Sequence, residues 1–311
     1  MPPIAPSLYL AAAGAAAVVG LEYGAPEVAA RGWLALERAR AGLRLRRAAI
    51  PGFTMPYLEG GSGDPLVLVH GFGGDKDNFT RVARFLTTHF HVVAPDLPGF
   101  GEAGRDPDAD YHISAQVERL HRFLEPLCLG RVHLGGNSMG GFIAMQYAAT
   151  YPDPVRSLWL LDAAGTRAAT DTVLLRDYRA TGELPLLVRS EADFPALVAA
   201  VMQRVPWTPP SLRRALGRRA AADFPLHSRI FRQIGLESPT LEPSLAAIAV
   251  PALIVWGRED RILSPAAAPV LNGLLRNSAV VLMKDTGHLP MIERPRATAR
   301  DYLEFIRTRT L

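Results

Sequence analysis

The chain has 311 residues, 49% of them hydrophobic, a net charge of +4 and a single cysteine. That length suits one large α/β domain or two small ones, and one cysteine excludes an intramolecular disulfide and any paired-cysteine metal or redox site. Basic clusters interleaved with stacking aromatics, a P-loop and a Gly-x-Gly-x-x-Gly turn opening a helix are missing from the sequence, so neither nucleic acid nor a nucleotide cofactor nor a metal ion is expected.

The first segment, residues 1–50, reads as a membrane-anchor or amphipathic extension. Ile4–Leu21 carries no charge and reaches the lower length limit of a membrane span, although half of it is alanine or glycine. Met1–Ser7 lacks the charged start of a secretory signal, so export is the weaker alternative. Arg31–Arg47 carries six arginines against one glutamate, with Trp33, Leu34, Leu36, Leu43 and Leu45 as a possible apolar side. It reads as a basic amphipathic helix suited to anionic lipid. Membrane contact is therefore expected through residues 4–47, and the arginines would keep the domain on the cytoplasmic side of an inner membrane. The competing reading is a helical extension packed on the body.

From residue 51 onward, apolar strands alternate with helical stretches. Phe53–Leu58 reads as an early edge strand. Leu66–Val69 is a buried strand that runs into the glycine-rich loop His70–Gly74. Asp77–His89 has helical spacing, with Asp75 or Asp77 as its cap. His91–Ala94 is the next strand, and Asp96 on the loop after it is expected to hold that loop. Ile113–Leu129 reads as a long amphipathic helix, with Cys128 buried as filler. Val132–Leu134 then leads into Gly136-Asn137-Ser138-Met139-Gly140, with a helical segment behind it. A Gly-x-Ser-x-Gly turn between strand and helix forces the serine into a strained conformation and holds its hydroxyl clear of the sheet. The two glycines avoid collisions with the neighbouring strand and helix.

The remaining partners follow in order. Leu158–Leu161 is a strand ending at Asp162. Ala252–Trp256 is a continuous apolar run of the parallel-strand kind, with Glu259 and Asp260 on the loop beyond. Ala279–Met283 is the last strand, followed by Gly287-His288. Ser138, Asp260 and His288 therefore all lie past the carboxyl ends of strands, the edge where open α/β sheets bind ligands. A serine hydroxyl needs an adjacent base, and an imidazole base needs a carboxylate to fix its tautomer. Ser138 is read as nucleophile, His288 as general base and Asp260 as the orienting acid, with Asp162 and Glu259 as rivals for the last role. The backbone N–H groups of Phe72 and Met139 are the expected oxyanion donors. His70 is expected to brace its loop, and His133, inside a strand, to be structural.

Residues 166–248 break the strand–helix rhythm and carry apolar residues such as Leu186, Phe194, Leu197, Val201, Met202 and Trp207. They are expected to form a helical cap over the core, residues 51–165 and 249–311, with a minority of the apolar side chains lining an acyl pocket. Arg213, Arg214, Arg218 and Arg219 form a charged face, solvated or turned to lipid head groups.

HGFGGDKDNFTRVA, APDLPGFGE, GGNSMGG, SLWLLDAAG, VWGREDRIL and GHLPMIERP together resemble the α/β-hydrolase superfamily, and within it the bacterial family V lipases and the membrane-anchored monoacylglycerol lipases of animals. The resemblance implies a mostly parallel, doubly wound sheet with the cap inserted between strands 6 and 7. It also implies hydrolysis of acylglycerols or similar lipid esters through an acyl-enzyme, without cofactor. GNSMGG also occurs in hydrolases that cleave C–C bonds of aromatic ring-fission products, with Arg189 or Arg204 as possible grips for their acidic substrates. A ligand-binding protein on the same scaffold is the reading from another class.

Overall fold

The computed structural model describes residues 19–309. Helix α1 (Pro26–Arg40) precedes an eight-stranded sheet ordered β1-β2-β4-β3-β5-β6-β7-β8. The strands are β1 (Leu43–Ile50), β2 (Phe53–Gly61), β3 (Asp64–Val69), β4 (Phe90–Pro95), β5 (Val132–Asn137), β6 (Val155–Leu161), β7 (Ala252–Gly257) and β8 (Ser278–Met283). β1 and β2 pair antiparallel, as do β2 and β4, and every later pairing is parallel. Helices cover both faces. α2 (Ile113–Leu124) and α3 (Met139–Thr150) pack on one side, and α9 (Pro295–Arg309) stacks on the other through Tyr302 against Trp159. β3, β5 and β7 have no exposed central residue, which is why β3 and β7 read as apolar runs rather than alternating ones.

Between β6 and β7 the chain builds a layer of short helices: α4 (Val173–Thr181), α5 (Phe194–Val201), α6 (Pro210–Ala222) and α7 (Phe224–Arg232). Prolines open α5, α6 and α7 near their first turns, where a missing N–H costs nothing. After β7 comes α8 (Ala267–Leu274).

Four local expectations are corrected. The basic helix expected over Arg31–Arg47 stops at Arg40, because Gly42 at φ 68 turns the chain and Leu43–Ile50 becomes a strand. Within that strand Leu43 is buried while Arg44 and Arg46 are exposed, a period of two and not the helical stripe that the leucine spacing suggests. The true sheet edge is thus β1, and the strand beginning at Phe53 is internal. Asp77–His89 is a 3₁₀ turn (Lys76–Phe79), one helical turn (Thr80–Ala83) and further turns rather than a continuous helix. Cys128 is exposed, in a left-handed conformation after the 3₁₀ turn that ends α2. Most of the uncharged run 4–21 lies outside the described residues, and among those described no helix is long and apolar enough to cross a membrane.

α1 is docked on the body. Glu22, in the turn of helix before it, is buried and accepts from Ser211 N (2.6 Å), Ser211 Oγ (2.9 Å) and Trp33 Nε1 (3.1 Å). These donors and the nearby Arg214 hold its carboxyl below the usual glutamate range against the opposing effect of desolvation. Arg38 grips Asp77 through two nitrogens at 2.7 and 2.6 Å, and Trp33 meets Trp207 edge to face at 5.9 Å. The helix therefore ties α6 of the helical layer to the sheet.

Candidate active site

Ser138 sits at φ 56 and ψ −117, between β5 and α3. The strain is imposed by crowding. A Cβ on Gly136 would stand 2.1 Å from Gly140 O, and one on Gly140 would stand 2.0 Å from Val69 O. Any side chain at either position would force the turn open. Met139 is the first residue of α3, where a backbone N–H has no helical acceptor and faces outward from the helix start. Phe72, on the loop after β3, lines the same cavities as Ser138.

His288 is buried, and its Nδ1 lies 2.8 Å from Asp260 Oδ2. Asp260 Oδ1 accepts from the backbone N–H groups of Ile262 (2.8 Å) and Leu263 (3.1 Å), which fixes the carboxylate from behind. Ser138 and His288 line one cavity of about 190 Å³. The structure thus brings Asp260 and His288 into contact and sets His288 across a shared cavity from Ser138. Of the rivals, Glu259 turns away and accepts from Thr286 N at 2.9 Å. Asp162 does not turn away: one of its oxygens, one of Asp260 and a ring nitrogen of His288 all lie within 4.8 Å of one another.

The histidines and acids read as structural behave so. His70 is wholly buried, with Nδ1 2.8 Å from Gly71 O and Nε2 accepting from Leu97 N at 3.0 Å, and burial pushes its imidazole down. Asp96 accepts from Lys76 N, Lys76 Nζ and Glu102 N at 2.8, 2.8 and 2.7 Å. His133 bonds Ser157 Oγ at 2.7 Å inside the sheet.

Several supports were not read from the sequence. Asn137 Nδ2 donates to Leu161 O (3.1 Å) and to His288 O (3.0 Å). Glu293 accepts from the N–H groups of Gly287, Gln203 and Arg204, at 3.0, 2.9 and 2.7 Å. His288 N donates to Val201 O at 2.9 Å, so the histidine loop is strapped to the end of α5. Asp75, beside the Phe72 loop, pairs with Arg219 of α6, which with Lys76 holds its carboxyl down at about 2 despite burial. Of these, Asn137 carried a sequence signal in its place inside the Gly-x-Ser-x-Gly turn, and Asp75 in its place as a cap, which it is for the turn Lys76–Phe79.

Two cavities meet at Ser138, Phe72 and Leu186. The larger, about 280 Å³, runs between Phe142, Leu175, Phe231, Ile262 and Leu263. The smaller passes His288 towards Asn78, Arg219 and Asp223, against Phe194, Leu197, Val201 and Met202. Trp207 lines neither and is 72% exposed, and Val188 is buried as packing.

This arrangement of sheet, serine turn and histidine loop is matched by the family model for the α/β hydrolase fold over residues 64–295, and the chain belongs to that family. It is 38% identical to Lipase 1 of Psychrobacter immobilis over 274 residues, 86% of each chain. It is 32% identical to the monoacylglycerol lipase ABHD6 of Rattus norvegicus over 251 residues, 78% of this chain and 74% of that one. Among solved structures, a bacterial membrane phospholipase A superposes with a TM-score of 0.89 at 41% identity, covering 98% of this chain and 97% of the other.

Proposed function

We propose that the protein is a serine hydrolase that cleaves carboxylic esters of lipids through an acyl-enzyme. The observation that carries this is the 2.8 Å contact of His288 Nδ1 with Asp260, in a histidine that shares a cavity with Ser138, strained at the start of α3 with its hydroxyl not used as a cap. Ser138 Oγ attacks the ester carbonyl carbon while His288 takes its proton, and Asp260 stabilises the imidazolium. The Phe72 and Met139 N–H groups receive the oxyanion. Collapse breaks the bond to the alcohol oxygen, which leaves with the proton from His288. Water, deprotonated by the same imidazole, then releases the fatty acid. The apolar larger cavity suits the acyl chain, and the smaller one, with Asn78 and Arg219, suits the alcohol. The lipase, monoacylglycerol lipase and phospholipase relatives support lipid esters as the substrate class.

The two arginines named for the rival C–C hydrolase reading do not line the Ser138 cavities; those that do are Arg167 and Arg179 in the larger and Arg219, paired with Asp75, in the smaller. Arg189 pairs with Glu183 and Arg204 with Asp285, both on exposed side chains. Assay of a monoacylglycerol and of a ring-fission dienol side by side tests the choice. Hydrolysis of the glyceride with negligible dienol cleavage is expected. Dienol cleavage alone, or stoichiometric ligand binding without turnover, would overturn the proposal.

Membrane contact through residues 4–47 is part of the same reading. Val19 and Leu21 are exposed at the end of the uncharged run and Tyr23 just beyond it, and a membrane phospholipase is a near structural relative. Arg38 is committed to Asp77 and α1 to the helical layer, so the contact rests on the residues before α1. A cytoplasmic orientation follows only if the run spans, from the arginines behind it. Co-sedimentation of the full chain with anionic vesicles, lost on deletion of residues 1–18, is the expected result.

A further inference from the structure

Asp162 is fully buried beside the acid–base pair, and its two oxygens are treated unequally. Oδ1 accepts from Gly257 N at 2.8 Å. Oδ2 is sealed from solvent and has no hydrogen-bond donor among the described residues. The titratable groups facing it are Asp260 and His288, with a carboxyl oxygen of Asp162, one of Asp260 and a ring nitrogen of His288 all within 4.8 Å of one another, and Glu293 adds a more distant negative charge. A buried carboxylate oxygen without a donor is costly, and two carboxylates in one dry pocket repel. A single proton removes both costs.

We propose that Asp162 is a positioning residue that stays protonated at neutral pH and donates a hydrogen bond from Oδ2 to the carboxylate of Asp260. The proton belongs on Asp162 because Asp260 already accepts from Ile262 N, Leu263 N and His288 Nδ1, whereas Asp162 accepts from Gly257 N. Three donors make Asp260 the better seat for the negative charge. Burial and the Asp260 charge both push the Asp162 carboxyl well above the usual aspartate range, in agreement with this placement. The donated bond locks the rotamer of Asp260 and so sets the ring plane of His288. Asp162 also stands at φ 45, a left-handed conformation that asparagine tolerates and glycine adopts without strain. The inference rests on the assignment of Asp260 and His288 to the triad.

The test uses the full chain and two variants that respect this backbone. Asp162→Asn keeps a donor towards Asp260 and an acceptor for Gly257 N–H, and Asp162→Gly removes both. The infrared carbonyl band of a protonated carboxylic acid should be present at pH 7 in the wild type and lost in Asp162→Asn, so that it stands out in the wild-type-minus-variant difference spectrum. Asp162→Gly should lower kcat by at least about tenfold with little change in KM, as expected for a misaligned base. Asp162→Asn should recover most of that loss. No acid band assignable to residue 162, or an asparagine variant as slow as the glycine one, would overturn the proposal. Because the infrared band does not depend on turnover, its absence in an active esterase removes this proton and leaves the triad standing.

Discussion

Asn137 Nδ2 donates 3.0 Å to the backbone carbonyl of His288, so the residue just before Ser138 holds the loop that carries His288. The same amide donates to Leu161 O, the last residue of the neighbouring strand. Three segments distant in sequence are thereby fixed at one sheet edge. In Asn137→Ala the His288 carbonyl loses this donor, at a cost of about 1–3 kcal/mol, while Leu161 O keeps the Ser138 N–H at 3.0 Å. The melting temperature should fall and kcat on a p-nitrophenyl ester should fall by about tenfold or more. A variant with wild-type kcat would show that the histidine loop needs no such tether.

The larger cavity is closed by Leu175, Phe231, Ile262 and Leu263. Leu175→Trp adds volume where α4 meets that cavity, so long acyl chains should be rejected and short ones retained. A series of p-nitrophenyl esters of increasing chain length reads this as a shift of the optimum towards short acyl groups. An unchanged profile would place the acyl chain in the other cavity.

His133 is a source of acid sensitivity. Burial, with a smaller contribution from Arg156, holds its imidazole down at about 4, against 6.5 for a free one. The unfolded chain takes up a proton below pH 6.5, whereas the folded protein resists it until about 4. The stabilising contribution is thus fully present above pH 6.5 and is lost as the pH falls through that window. The loss is at most about 3 kcal/mol. Urea unfolding at pH 7 and pH 5 should show a smaller drop for His133→Gln than for the wild type. An equal drop would assign the acid sensitivity to other groups.

What could be read from the sequence was what local sterics and burial impose on neighbours. Gly136 is required by a contact its own turn creates and Gly140 by the close approach of Val69, and the apolar runs within β3 and β7 follow from burial on both faces. Asp260 and His288 could be named as candidates because each stands on the loop after an apolar strand, β7 and β8. Harder to read were features set by partners far along the chain. The strand at Leu43–Ile50 alternates leucine and arginine in a stretch that also fits a helical wheel, and only pairing with β2 decides between them. The docking of α1 depends on Glu22 meeting Ser211, and the pairing of Asp75 with Arg219 joins positions equally remote. Asp162 could be named as a rival for Asp260, but that both carboxylates stand beside one imidazole is a matter of register between β6 and β7.

The most direct measurement is the reaction of the protein with a fluorophosphonate that traps activated serines, followed by mass spectrometry of the labelled peptide and ester assays on the same samples. One equivalent of label on Ser138, with ester hydrolysis lost in proportion and absent in Ser138→Ala, is the predicted result. Label on a different residue, or ester cleavage undiminished in Ser138→Ala, would contradict it.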